Sequence, residues 1–393
     1  DLQLAQFLIG RMLSRIILLI LLLGNTIKIY AIESNDTTVL SKWGIDANFL
    51  IGKSIKSSSF KPSINGPSYA GDISIFRQTN GEEDGQKKLH YPRVGAGFFF
   101  IFHPNKDTLG NAFAPYIYWT YPLIRTKIID FNMKIGFGAA YSTRIWDPIT
   151  NKDFHANGSH LNFFIYYRLG LEWKITTRTQ LLTAVTYTHY SNGSIKLPNL
   201  GMNTPSATIG IIQKIGLTQE KINLKDHSTS KLRYKNAVYF QTNIGMIDIT
   251  RFVKDKSWYT QSVTSGYSRY INPANKISAG STLEFNFGWP HSLIYGKSDK
   301  EKIIKKASTE WSINLTDEIL IGHIGMYMQM GVYLYHSYPM PKPYYFRIGM
   351  QYHLFKNGMG KNKRGDLYIP VGIISHNSKA HHPETGLGGF VKF

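Results

Sequence analysis

His189 and Ser191 are the two residues in this sequence most able to do chemistry together. They lie in the run Tyr187-Thr188-His189-Tyr190-Ser191-Asn192-Gly193-Ser194, at the end of an alternating stretch that begins near residue 177. Side chains two apart on a strand point to the same face, so an imidazole and a hydroxyl meet here. A serine hydroxyl becomes a useful nucleophile when a neighbouring base takes its proton. The pair therefore reads as nucleophile, Ser191, and general base, His189. The same face carries Leu181, Val185 and Tyr187, and the opposite face carries Thr186 and Thr188. An apolar face on a membrane strand looks toward lipid, so the pair is expected to open at the outer surface of a barrel, where an acyl ester can reach it.

The elements around the pair read as strands. Period-2 runs separated by Gly, Pro, Asn, Asp and Lys occur at 46–53, 69–77, 93–102, 111–123, 131–143, 161–174, 177–190 and 204–215. They continue at 235–250, 257–270, 276–288, 308–316, 319–335, 343–355, 366–376 and 384–393. Alternation over short segments marks half-buried strands. The expected fold is all-β, one transmembrane antiparallel up-and-down barrel of about 12–16 strands, the usual kind of count for bacterial barrels. Lys-rich 216–234 and polar 289–307 read as long loops.

Composition agrees. The chain has 393 residues, 35 glycines, 14% aromatics and no cysteine. Lack of cysteine excludes a disulfide framework, a thiolate metal site and a lipidated N-terminal Cys. The mean hydropathy of -0.21 argues against a polytopic helical membrane protein. Arg11 and Arg15 precede the apolar run Ile16–Leu23, and Ala31 offers a small residue for cleavage. Residues 1–31 are thus expected to be a secretory signal peptide, and 32–393 the barrel. The formal charge of +20 suits a polyanionic partner. For an exported chain this means a phosphorylated glycolipid rather than nucleic acid. Phe393 closes an alternating face with Leu387, Gly389 and Val391, similar to the terminal signal read by barrel assembly machinery.

Other candidates carry less. His155 and His160 read as exposed turn residues. His376, His381 and His382 read as exposed loop histidines, because adjacent strand residues point apart and no carboxylate completes a metal set. Tyr116, Tyr118, Trp119, Trp173, Trp258 and Trp311 suit interfacial girdles. Lys196 and Lys214 are candidate contacts for lipid phosphates. Neither a metal nor a cofactor is expected.

His189-Tyr190-Ser191-Asn192-Gly193, followed by Pro198-Asn199 and Gly201, resembles the signature of the lipid A 3-O-deacylase (PagL) family, in its longer, acyloxyacyl-hydrolase-like form. Tyr91-Pro92-Arg93-Val94-Gly95, Lys134 through Thr143, Trp146-Asp147, Arg347-Ile348-Gly349, Tyr352-His353 and His376 through Ala380 with Glu384, Gly386 and Gly388 fit the same members. The resemblance covers about 43–215 and 343–393, and 216–342 is only barrel-like. It implies an outer-membrane esterase acting on an ester-linked acyl chain of lipid A, with His189 as base and Ser191 as nucleophile. It assigns the oxyanion to Asn192 and the Gly193 backbone. Shorter members place a Glu where this chain has Asn203. Asn203 can orient the imidazole by accepting a hydrogen bond, or Glu384 can supply a carboxylate. A non-catalytic porin- or transporter-like barrel on the same scaffold is the alternative, and a phospholipase-like barrel with the same nucleophile is a third.

Overall fold

The computed structural model describes residues 38–55, 64–222, 229, 232, 234–248, 257–288, 308–337, 342–355, 364–376 and 379–393. The expected leader at 1–31 and the expected loop at 289–307 lie outside them. The described residues form sixteen strands: β1 (Thr38–Gly52), β2 (Ser68–Gln78), β3 (Arg93–Phe102), β4 (Asn111–Arg125), β5 (Ile129–Ser142), β6 (Leu161–Lys174), β7 (Thr179–Ser191), β8 (Met202–Ile222), β9 (Asn236–Ile247), β10 (Trp258–Asn272), β11 (Asn275–Asn286), β12 (Ser308–Ile321), β13 (Ile324–His336), β14 (Tyr344–His353), β15 (Gly365–His376) and β16 (Lys379–Lys392). One short helix, α1 (Asp84–Lys88), lies between β2 and β3. β8 runs through Ile222 and so takes in the start of the expected 216–234 loop.

Within β1–β8 and within β9–β16, consecutive strands pair antiparallel. Closure is where the architecture departs from a single barrel. β8 returns to β1, with Ala47 opposite Ile211, and closes eight strands. β16 returns to β9, with Leu387 opposite Thr242, and closes the other eight. The protein is two eight-stranded barrels in one chain. Period-2 alternation is the same for strands of a small barrel and of a large one, so the strand count is visible locally and the closure point is not.

An eight-stranded barrel leaves an interior just wide enough for side chains. In the first barrel Lys134 Nζ lies 3.1 Å from Asp72 and 3.5 Å from Asp46, and Arg168 lies 2.9 Å from Asp46. Arg93 pairs with Glu172. Tyr116 and Tyr118, expected at the interface with lipid, are buried in this lumen. Both hold even positions on β4, the inward phase, and Lys134 Nζ sits 3.9 Å from the Tyr118 ring centre. The second lumen holds Lys276–Glu318 at 2.6 Å and Arg347–Glu384 at 2.8 Å. Outward positions such as Phe49, Ile73, Val185, Phe240, Leu315 and Val391 are apolar and exposed, as a lipid-facing surface requires.

The barrels touch side by side. Trp119, outward on β4, is buried in a cluster with Leu89, Ala274 and Ile321, and Phe137, Met326 and Met350 pack on it. Trp119 therefore faces the other barrel rather than a lipid interface.

Candidate active site

On β7 the even residues Leu182, Thr186, Thr188 and Tyr190 are buried, while Leu181 and Val185 are exposed. The outward phase therefore carries His189 and Ser191, as expected from their spacing. The short connections 126–128 and 175–178 lie at one end of this barrel, and 143–160 and 192–201 at the other. Outer-membrane barrels keep short turns inside and long loops outside, so the pair sits at the outer end.

His189 Nε2 lies 2.9 Å from Ser191 Oγ. Its Nδ1 lies 2.7 Å from Asn203 Oδ1. Antiparallel pairing puts His189 directly opposite Asn203 on β8. A carbonyl oxygen only accepts, so Nδ1 carries the proton and Nε2 is left to accept from the serine hydroxyl. Tyr187, one outward step back on β7, donates its hydroxyl to the same Asn203 oxygen at 2.5 Å. Tyr187 was visible in the sequence only as a member of the odd face, and its role depends on the register.

Asn203 is the partner of the imidazole, and Glu384 is not. Glu384 points into the second lumen, where Arg347 Nε lies 2.8 Å away and Asn243 Nδ2 donates to it at 3.1 Å. Its inward phase on β16 commits it to that ion pair. Lys214 is also far from the pair. It lies toward the other end of β8, where its backbone amide bonds to the Arg178 carbonyl in the short turn 175–178. Lys196 is exposed on the 192–201 connection, and Lys53, which the sequence reading did not single out, is exposed where its amide bonds to Pro205 O beside Asn203.

The connection after Ser191 folds on itself. Asn192 N donates to Asn199 Oδ1 at 2.8 Å, and one Asn192 Nδ2 hydrogen goes to the Lys196 carbonyl at 2.8 Å. Ser194 N donates to Asn192 Oδ1 at 3.0 Å. Gly193 has φ +68°, a backbone state that glycine adopts freely. Gly201 has φ +70°, and a Cβ there would fall 2.6 Å from His189 Cε1 and 3.1 Å from Ser191 Cβ. Only a glycine lets the chain pass this close to both side chains.

The flanks of the site differ. Toward β6, Phe163 pairs with Ser191 and Ile165 with His189, and Pro383 of the second barrel stands against Gly193. Toward β8 and β1, Asn203 pairs with Ile55 in the extension of β1. Away from the pair, on the outer face of β1, β2, β3 and β8, a groove of about 600 Å³ lies between Ala47, Phe49, Gly71, Phe102, Ile209 and Ile211. On the inward side, Tyr190 OH lies 2.9 Å from His103 Nε2, and His103 Nδ1 lies 2.9 Å from Ser68 Oγ. Burial pushes the His103 imidazole, in the connection after β3, down to about 4.

Among the described residues no group of three or more His, Cys, Asp or Glu side chains is arranged to hold a metal ion. His381 and His382 are not exposed loop residues. They lie on β16 where its pairing with β15 shifts register, and their Nδ1 atoms are 2.9 Å apart. His382 is buried in the lumen, and His376 meets Tyr333 OH at 2.8 Å.

Two family models match this chain. The model described as lipid A 3-O-deacylase (PagL) matches residues 74–211, and the one described as acyloxyacyl hydrolase, C-terminal domain, matches 235–388. The chain belongs to the lipid A 3-O-deacylase family. The two matches divide the deacylase-family chain as its barrels divide, and the second takes in the stretch 235–342 that had read only as barrel-like. Membership places it in the bacterial outer membrane and in a family named for ester hydrolysis on lipid A. Solved structures similar to it include the outer membrane enzyme PagL, at 17% identity and TM-score 0.33, covering 42% of this chain and 97% of that one. Neisserial surface protein A is similar at 10% identity and TM-score 0.32, covering 44% and 98%. No curated protein matches the chain.

Proposed function

We propose that this protein is a serine esterase that removes an ester-linked acyl chain from lipid A. The observation that carries the reading is the row Asn203–His189–Ser191, with contacts of 2.7 and 2.9 Å, on the lipid-facing side of the first barrel. Ser191 Oγ attacks the ester carbonyl carbon as its proton passes to His189 Nε2. The developing oxyanion takes hydrogen bonds from the Gly193 amide and from the second Asn192 Nδ2 hydrogen. Collapse of the tetrahedral adduct expels the sugar hydroxyl, which receives the proton back from His189. Water then repeats the sequence on the acyl-serine and releases the fatty acid. Asn203 holds the ring in the tautomer that these transfers need, the part played by an aspartate in the familiar triad. As a neutral amide it gives less support to the imidazolium.

Lys53 and Lys196, exposed on either side of the pair, suit the lipid A phosphates. The porin-like alternative gains no support, since both lumens are filled with buried, bonded side chains.

The test is the lipid A mass spectrum of cells expressing the wild type, Ser191→Ala and His189→Ala, each inserted to the same extent. Loss of one acyl mass is expected with the wild type alone. An unchanged spectrum from an inserted wild type would overturn the lipid A reading, and a lyso-phospholipid product would replace it with a phospholipase.

A further inference from the structure

The connection that follows the nucleophile is bonded to the second barrel at Ser194, Ile195 and Leu197. Asp248, just past β9, donates its backbone N–H to Ser194 O at 2.8 Å and accepts the Leu197 N–H on Oδ2 at 2.9 Å. Ser194 Oγ donates to the Ala380 carbonyl at 2.9 Å. Ser257 Oγ donates to Ile195 O at 3.3 Å. Pro383 Cδ is 3.2 Å from where a Gly193 side chain would begin. These partners come from three places in the second barrel, the end of β9, the start of β10 and the start of β16.

The first barrel bonds this connection at its ends, and Gly158 lies close against the Lys196 and Leu197 carbonyls. Ser191 is fixed by pairing with Phe163, and Leu200 and Gly201 by amide bonds to His155 and Ala156 carbonyls. Between them, Ser194, Ile195 and Leu197 take hydrogen bonds from the second barrel. Two consecutive residues there, Gly193 and Ser194, hold φ of +68° and +73°. Ser194 is not glycine, and non-glycine residues keep such a conformation when their surroundings impose it. Its amide and hydroxyl bond to Asn192 and Asn199 within the connection, and its carbonyl and hydroxyl bond to the second barrel, so both surroundings hold the conformation.

We infer that the second barrel is a positioning element for the esterase site, with Asp248 its principal contact. By pinning Ser194 and Leu197 it fixes the Gly193 amide relative to Ser191 Oγ. This rests on the esterase reading for its effect on turnover, but the pinning itself does not. A small displacement of a reacting or stabilising group costs up to ~10²-fold in rate.

The experiment compares full-length wild type, Asp248→Ala and Asp248→Asn in detergent or outer-membrane vesicles. It measures kcat and KM on purified lipid A, together with hydrogen exchange of the 193–197 amides. Asparagine keeps an acceptor for the Leu197 amide and alanine does not. The expected result for Asp248→Ala is a fall in kcat of roughly tenfold, with KM within about twofold. Exchange at 193–197 should speed up, and Asp248→Asn should restore both readouts. Equal loss in the two variants, or wild-type exchange in Asp248→Ala, overturns the proposal. If Asp248→Ala fails to insert, Ser257→Ala removes the second-barrel bond to the Ile195 carbonyl and is read by the same exchange measurement, where wild-type exchange overturns the proposal. If the wild type proves inactive on lipid A, exchange still decides whether the second barrel holds the connection, and only the esterase reading falls.

Discussion

The seventh strands of the two barrels end in nearly the same letters and do different things. β7 ends His189-Tyr190-Ser191, and β15 ends Ser375-His376. In the first barrel the imidazole and hydroxyl are two apart, share the outward face and meet at 2.9 Å. In the second they are adjacent and point to opposite faces. His376 turns into the lumen toward Tyr333, and Ser375 Oγ donates to the Phe346 carbonyl at 3.3 Å. One inserted residue separates a nucleophile with its base from two structural side chains. The lumens differ as well. The charged pairs described in the first balance acid against base, whereas the second sets Glu284 directly opposite Glu310.

The largest expected contrast is between the two serines. Ser191→Ala should lower deacylation by ~10⁴-fold or more, with heat-modifiable gel mobility unchanged, whereas Ser375→Ala should leave deacylation at the wild-type rate. Similar losses in both would end the assignment of Ser191 as nucleophile. Gly201→Ala comes next, because a methyl at φ +70° collides with His189 Cε1. Displacing the imidazole should cost about 10²-fold in kcat, and a wild-type rate would show that the ring is free to retreat. Asn203→Leu removes the acceptor on Nδ1 and should also cost roughly 10²-fold. Asn203→Asp keeps an acceptor and adds the charge that favours an imidazolium, so it should match or exceed the wild type. A fall to the level of Leu would show that the neutral amide is required.

The smallest effect concerns pH. His103 titrates near 4 when folded and near its ordinary value when unfolded. On acidification the unfolded chain takes up the proton first, so its stabilising contribution is complete above about pH 6.5 and drains away toward pH 4. Thermal midpoints should fall across that window in the wild type and fall less in His103→Asn. Parallel curves for the two would remove His103 from the account.

All sixteen strands were legible because alternation is a local property. Closure was not, because whether β8 pairs with β1 or continues to β9 depends on residues far apart in sequence. The site divides the same way. His189 and Ser191 were readable from a spacing of two, and Asn203 from its place in the motif. Glu384 attracted attention as a carboxylate near the end of the chain, but its phase had already turned it inward. Lys214 stood near the motif in sequence, yet it sits toward the opposite end of a long strand. Nothing local marked Asp248, whose importance arises only when two barrels meet.

The seam along which the barrels pack has a consequence for traffic in the plane of the membrane. A lone barrel can be approached by a diffusing lipid from any compass bearing. Here Phe163, Pro383 and the body of the second barrel occupy one flank of the His189–Ser191 pair. That flank is closed to a lipid sliding along the outer leaflet. The molecule therefore has a front and a back, and each encounter starts with its heading already constrained.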